Sequence, residues 1–233
     1  MTNRPLILIL VSLLSYVLGQ TQELPEGFII EVFASGIEQP VCFVEAPDGR
    51  IFVAERTGKI RIIQNGELLE NPFYEVQTET PGERGVTGIV LHPDFETNGF
   101  LYIHYTIVDS NQNAVIRVTA AGNSAPENSQ EQIFLLDPMW ASWHNGGSMF
   151  FDDENFLFIG VGDGTGWQAA EQTTTTLGKI LRLHDDGSIP IDNPFFDSTD
   201  GNNRAIWAIG VRNPYTMARQ NSSGRIFFND VGN

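Results

Sequence analysis

The sequence is poor in cysteine and in basic residues, and each shortage excludes a class of protein. Cys42 is the only cysteine, so no intramolecular disulfide can form. Its apolar neighbours at positions 41–44 predict a buried free thiol. The chain carries 13 Lys and Arg against 29 Asp and Glu, which gives a formal net charge of −16. A chain this acidic is a poor candidate for binding nucleic acid or an anionic membrane.

Long apolar runs are also scarce, and the one that exists lies at the N-terminus. It extends from Leu6 to Leu18 and follows the basic residue Arg4. This pattern is typical of a secretory signal peptide, and the run is short for a membrane span, although an uncleaved anchor is the alternative. We therefore expect a signal peptide at 1–19 and a secreted or periplasmic domain at 20–233 that does not span a membrane. Losing Arg4 would change the net charge from −16 to −17.

No long segment of the remaining chain has the period of an amphipathic helix, and the composition favours β-structure. The chain contains 23 Gly, 12 Pro and 16 Phe, and short apolar strands alternate with turn residues. A turn followed by an apolar strand recurs at 47–54, 97–104, 153–160 and 222–229. The copies are roughly 50 to 70 residues apart, which is near the length of a propeller blade with long loops. The repeat favours a β-propeller over a β-sandwich, which would also alternate turns and strands.

The fourth copy of the repeat is followed directly by the end of the sequence, at 229–233. A propeller that ended there would leave an open sheet edge. Either four blades close on themselves, or the sequence is the N-terminal part of a longer protein. We favour the second interpretation.

The candidate catalytic residues flank one predicted hairpin. Apolar runs at 148–152 and 156–161 predict its strands, with His144 before the first and Asp163 after the second. The two ends of a hairpin lie side by side, so the imidazole and the carboxylate can meet. A His held by an Asp through one ring nitrogen is the usual build of a general base. The alternative is that His144 is only a strand-end histidine and Asp163 only a turn residue.

Other polar and aromatic residues allow less specific expectations. His104, within a predicted strand, and His184, before a turn, are expected at the surface. The tryptophans near the hairpin could stack on a sugar or cofactor ring or simply pack in the fold; they are Trp140, Trp143 and Trp167.

Ten short motifs together resemble the glucose/sorbosone dehydrogenase family, which contains the soluble pyrroloquinoline-quinone sugar dehydrogenases. Each motif is weak alone, but their order and spacing are specific, and they cover nearly all of the chain after the predicted signal peptide. They are LPEGF at 24–28, PDGRIFVAER at 47–56, GERGVTGI at 82–89, HPDF at 92–95, HNGG at 144–147, GDG at 162–164, GKILRL at 178–183, DGSIP at 186–190, DNPF at 192–195 and GVRNP at 210–214.

The resemblance implies an all-β fold, a β-propeller of the six-bladed type with about four blades in this chain. It also implies an exported oxidoreductase that oxidises the anomeric hydroxyl of an aldose to a lactone and passes the electrons to an acceptor. His144 would be the general base, with Asp163 holding its far nitrogen. Arg212 would stabilise the negative charge that develops on the reduced quinone.

The same resemblance implies the cofactor contacts. Asn213 would hydrogen-bond pyrroloquinoline quinone beside Arg212, and Glu83 stands where the family places a polar cofactor contact, often Gln. The family also binds calcium partly through backbone carbonyls, and Gly232 falls at that position; backbone oxygen suits a hard cation.

Two departures from the family pattern keep a second function open. Val211 stands where sugar dehydrogenases usually carry His. The basic residues that grip the cofactor's carboxylates lie, in the family, beyond the point where this sequence stops. Some relatives share the fold without a known redox reaction, so a non-catalytic secreted propeller that binds a carbohydrate or a protein partner is the alternative.

Overall fold

The structure, a computed structural model, describes residues 24–232. The predicted signal peptide at 1–19 lies outside the described residues. Residues 24–33 contain a turn in which the Phe28 amide donates to the Pro25 carbonyl over 3.1 Å. The sheets all lie within residues 34–232. Along the described part of the chain, no helix has the length and apolar character needed to cross a membrane.

Antiparallel strands dominate the described residues, and helices are short. The strands are β1 Pro40–Glu45, β2 Ile51–Glu55, β3 Lys59–Gln64, β4 Glu67–Leu68, β5 Tyr74–Glu75, β6 Val86–Leu91, β7 Phe100–Thr106, β8 Asn113–Thr119, β9 Glu131–Leu135, β10 Gly146–Phe151, β11 Leu157–Val161, β12 Lys179–Leu183, β13 Ile206–Ile209, β14 Pro214–Arg219 and β15 Ile226–Asp230. One α-helical turn, α1, spans Phe95–Asn98, and 3-10 turns span Glu127–Ser129, Trp167–Glu171, Phe196–Ser198 and Gly201–Ala205.

The strands pair in chain order into four separate sheets. The first sheet has the order β1-β2-β3-β4, with β5 also on β3. The second contains β6 to β9, the third β10 to β13, and the fourth β14 and β15. The repeat read from the sequence corresponds to this plan, because each copy supplies a turn and then the second strand of a sheet, β2, β7, β11 or β15.

Local turn chemistry explains why the repeat begins as it does. In the first copy, the Asp48 carboxylate accepts a hydrogen bond from the backbone amide of Arg50 over 3.1 Å. Gly49 between them has φ +83°, a conformation that glycine adopts without steric cost. The turn therefore sets the register in which Phe52 pairs with Val44 across β1 and β2.

The second sheet is covered on both faces, as the pleat of β7 shows. Leu101 and Ile103 point to one side and pack with Phe52 and other residues of the first sheet. Tyr102, between them, points to the other side and packs with Leu157 and other residues of the third sheet. The side chains of Leu101, Tyr102 and Ile103 are all fully buried. Burial of a large apolar side chain contributes about 1.5–3 kcal/mol, so these two cores hold successive sheets face to face.

The first strands of the sheets lie next to one another. β1 contacts β6, β6 contacts β10, and β10 contacts β14. The approach of β6 to β10 is so close that a Cβ on Gly88 would lie 1.8 Å from the carbonyl oxygen of Gly147. Radial sheets whose first strands meet along one axis make a partial β-propeller. The prediction of an all-β propeller is confirmed, with three full sheets and a fourth represented by two strands.

Two expectations about burial need correction. His104 is fully buried rather than at the surface, and its Nδ1 lies 2.6 Å from the Thr87 hydroxyl. Burial lowers the pKa of His104 to about 4. Cys42 is free but only partly buried, and the desolvation raises the pKa of its thiol to about 11. His184 is exposed, as predicted.

Candidate active site

His144 and Asp163 meet at the open end of the β10–β11 hairpin. His144 lies just before β10 and Asp163 just after β11, and Gly146 pairs with Val161 between them. The His144 Nδ1 is 2.6 Å from the Asp163 Oδ1. The Asp163 side chain is 1% exposed, whereas that of His144 is 16% exposed. The buried carboxylate thus orients the ring by one nitrogen and leaves Nε2 for a ligand.

The Asp163 carboxylate is itself fixed by the chain that follows it. Its Oδ1 also accepts the backbone amide of Thr165 over 2.8 Å. The Asp163 amide donates to the Arg212 carbonyl over 2.7 Å, which ties this loop to the segment between β13 and β14. The carboxylate partner of the imidazole–carboxylate pair is therefore held in place by hydrogen bonds.

The backbone of His144 adopts a left-handed conformation, with φ +60°. Such a conformation is uncommon for a residue with a Cβ and persists where neighbouring contacts hold it. The His144 carbonyl accepts the Gly164 amide over 3.2 Å, and its amide donates to the Glu83 Oε2 over 2.7 Å. Glycine is required at position 162, because a Cβ there would lie 1.9 Å from the His144 carbonyl oxygen.

Arg212 and Asn213 form a turn between β13 and β14 that a carboxylate organises. Asp230, at the end of β15, accepts the Arg212 amide at 3.1 Å and the Asn213 amide at 2.7 Å. The Arg212 guanidinium donates to the Val231 carbonyl. Sequence reasoning missed Asp230, because nothing in the sequence shows which exposed aspartate faces this turn.

Asn213 connects this turn to the hairpin that carries His144. It is 3% exposed, and its Oδ1 accepts the Gly146 amide over 3.0 Å. Its Nδ2 donates to the Glu83 Oε2 over 3.4 Å. All the predicted site residues except Gly232 therefore belong to one connected cluster, which comprises Glu83, His144, Asp163, Arg212 and Asn213.

A buried polar network lies beneath the loop that carries His144, and sequence reasoning missed it. The Thr106 hydroxyl donates to the Asn113 Oδ1 over 2.7 Å, and the Asn113 Nδ2 donates to the Asn145 Oδ1 over 3.2 Å. The Asn145 Nδ2 then donates to the Ser142 carbonyl over 3.1 Å. Asn145 follows His144 directly, so these bonds anchor the loop to the second sheet.

Gly232, the remaining predicted site residue, and the three tryptophans near the hairpin are exposed to solvent. Gly232 is exposed just after β15. Among residues 24–232 there is no group of three or more His, Cys, Asp or Glu side chains placed to hold a metal ion. Trp140, Trp143 and Trp167 are 65%, 53% and 79% exposed. Trp140 also packs on the backbone of Gly166, where a Cβ would lie 2.1 Å from the ring.

Comparison with known proteins assigns the family. The family model described as Glucose / Sorbosone dehydrogenase matches residues 37–233. The chain belongs to this family. It is 30% identical to the aldose sugar dehydrogenase YliI of Escherichia coli K12 over 215 residues, which cover 89% of this chain and 57% of the relative. It is 29% identical to quinoprotein glucose dehydrogenase B of Acinetobacter calcoaceticus, covering 83% of this chain and 46% of the relative.

The fold agrees with this family membership. The crystal structure of the soluble aldose sugar dehydrogenase from Escherichia coli in the apo form has a TM-score of 0.80 at 28% identity. It is matched over 87% of this chain and 60% of that chain. Hedgehog-interacting protein from Mus musculus, also a relative, is 29% identical over 79% of this chain and 31% of its own length. The chain thus spans about half the length of the curated sugar dehydrogenases that it matches.

Proposed function

We propose that this chain is part of an exported, quinone-dependent dehydrogenase that oxidises the anomeric hydroxyl of an aldose to a lactone. The observation that carries the proposal is the 2.6 Å contact between His144 Nδ1 and Asp163 Oδ1. Arg212 and Asn213 belong to the same hydrogen-bonded cluster. Membership of a family whose named relatives include sugar dehydrogenases supports this proposal.

His144 would act as the general base. Oxidation removes a proton from the anomeric oxygen while the adjacent carbon loses its hydrogen with two electrons. The proton would go to the His144 Nε2, which stays available because Nδ1 is held by Asp163. The buried Asp163 carboxylate would then stabilise the imidazolium that forms.

The residues near Arg212 fit a quinone. Within the described residues, the guanidinium donates only to the Val231 carbonyl, so most of its donors remain for a ligand. An always-charged guanidinium suits quinone oxygens that gain negative charge. When bound, pyrroloquinoline quinone supplies the two-electron acceptor. Arg212 would hold its oxygens and Asn213 would lie beside it, whereas the Glu83 carboxylate accepts the Asn213 Nδ2.

The described residues supply only part of a set of calcium ligands. Gly232 offers a backbone carbonyl, which is a suitable calcium ligand. The carboxylate of Asp230, which precedes Gly232 by two residues, already accepts the amides of Arg212 and Asn213. The donor set around Gly232 is therefore partial within residues 24–232, and we assign no catalytic step to calcium.

The test is reconstitution of the full-length protein with pyrroloquinoline quinone and calcium, followed by dye reduction with a panel of aldoses. Wild type should reduce the dye. His144→Ala should lose at least about 100-fold in kcat, because general-base catalysis is worth 10²–10⁴-fold. His184→Ala, which removes an exposed histidine, is the matched control and should keep full activity. No dye reduction by wild type with any aldose would refute the proposal.

A second candidate function is a non-catalytic secreted propeller that binds a carbohydrate or a protein partner. The relationship to hedgehog-interacting protein favours it, as does Val211, a buried apolar residue beside Arg212. It predicts that His144→Ala leaves ligand binding intact. Loss of binding in that variant would argue against it.

A further inference from the structure

We propose that Glu83 is a positioning residue whose carboxylate holds the backbone of His144, rather than a direct contact of the cofactor. Its effect on catalysis rests on the function proposed above, but its effect on the His144 backbone does not. The segment containing Glu83 lies before β6, and the segment containing His144 lies before β10, so the bond crosses between two sheets.

Two hydrogen bonds in opposite directions join these segments around Trp143. The Glu83 amide donates to the Ser142 carbonyl over 2.9 Å. The His144 amide donates to the Glu83 Oε2 over 2.7 Å. The segments approach so closely that a Cβ on Gly82 would lie 2.6 Å from the Ser142 carbonyl oxygen. The side chain of Glu83 thus takes the place of a backbone acceptor for the His144 amide. We call these two hydrogen bonds between the Glu83 and His144 segments the clamp.

The clamp holds His144, whose backbone is in an uncommon conformation. At φ +60° His144 is in the left-handed region, which costs free energy for a residue with a Cβ. That backbone conformation sets the direction of its Cβ, and hence the position from which Nδ1 reaches Asp163. A hydrogen bond from the His144 amide to the Glu83 side-chain oxygen can offset part of this cost.

The Glu83 Oε2 that accepts the His144 amide also connects His144 to Asn213, the residue proposed to lie beside the cofactor. Glu83 Oε2 accepts the Asn213 Nδ2 over 3.4 Å, and the Asn213 Oδ1 accepts the Gly146 amide over 3.0 Å. Both bonds to Glu83 use it as an acceptor. The role therefore requires an oxygen at this position and does not require its negative charge, so glutamine should substitute and alanine should not.

The experiment compares amide hydrogen exchange, followed by NMR, in the full-length protein and three variants. Glu83→Ala should lose protection at the His144 amide by at least about tenfold, whereas Glu83→Gln should retain it within about threefold. Glu75→Ala, which removes an exposed glutamate of β5, is the matched control and should match wild type. In the reconstituted enzyme Glu83→Ala should lower kcat about 10- to 100-fold with little change in KM.

The outcomes separate this proposal from the proposed function. An inactive wild-type protein that shows the expected exchange pattern would refute the dehydrogenase and support the clamp. Unchanged protection of the His144 amide in Glu83→Ala would overturn the clamp. So would a loss of quinone affinity in both Glu83 variants without any change at His144, because that pattern describes a direct cofactor contact. If amides throughout the whole Glu83→Ala protein lost protection from exchange but those of Glu83→Gln kept it, the result would still support the need for a hydrogen-bond acceptor at position 83.

Discussion

Lys179 should make the stability of this fold depend on pH in the alkaline range. It begins β12 and is 0% exposed. Its Nζ donates to three carbonyl oxygens, those of Leu177 at 2.6 Å, Ala169 at 2.7 Å and Ala170 at 3.0 Å. Desolvation lowers the pKa of Lys179 from 10.5 to about 8, an effect that the charges of nearby acidic residues only partly oppose.

The sign of the dependence follows from which state binds the proton. Below pH 8 both the folded and the unfolded chain carry the charge, and the folded state bears the full cost of burying it. Between about pH 8 and 10.5 the unfolded chain keeps a proton that the folded chain has released, so the free energy of unfolding rises with pH. A pKa lowered from 10.5 to about 8 corresponds to about 3 kcal/mol over that range.

The assay is urea unfolding of wild type and Lys179→Met at several pH values from 7 to 10.5. Two other groups lose their protons in this range only in the unfolded chain, because burial raises the pKa of Cys42 from 9.0 to about 11 and that of Tyr102 from 10.0 to about 12. Their contributions are common to both proteins and cancel in the difference. The free energy of unfolding of wild type minus that of the variant should therefore grow by about 3 kcal/mol as the pH rises.

A constant difference would refute the reasoning. It would mean that the three carbonyl oxygens hold Lys179 in its charged form despite burial. Lys59→Met, at a partly buried position of β3, is the matched control for replacing lysine by methionine and should follow the pH dependence of wild type.

Three further predictions concern the core and the site. Burial lowers the pKa of His104 to about 4, so wild type should lose about 3 kcal/mol of stability between pH 6.5 and pH 4. His104→Gln should lack that loss in urea unfolding. Gly162→Ala should cost about 3 kcal/mol in the same assay, because its Cβ would lie 1.9 Å from the His144 carbonyl oxygen. Asp163→Asn should lower kcat of the reconstituted enzyme roughly 100-fold or more with KM little changed, because an amide cannot stabilise the imidazolium as a carboxylate does.

The sequence was sufficient for the features that depend on neighbouring residues. Turn residues and two-residue alternation are local signals, and they located the second strand of every sheet. A hairpin brings its own ends together, so the proximity of His144 and Asp163 also followed from local order, although their catalytic role remains a prediction.

Only the tertiary structure decided which face of a strand meets solvent and which distant residues meet at the site. Alternation places His104 on one face of β7, but the second sheet is covered on both faces, so that histidine is buried. Glu83 bonds to His144 across 61 positions and to Asn213 across 130. Such contacts depend on how whole sheets pack beside one another, and no short stretch of sequence contains that information.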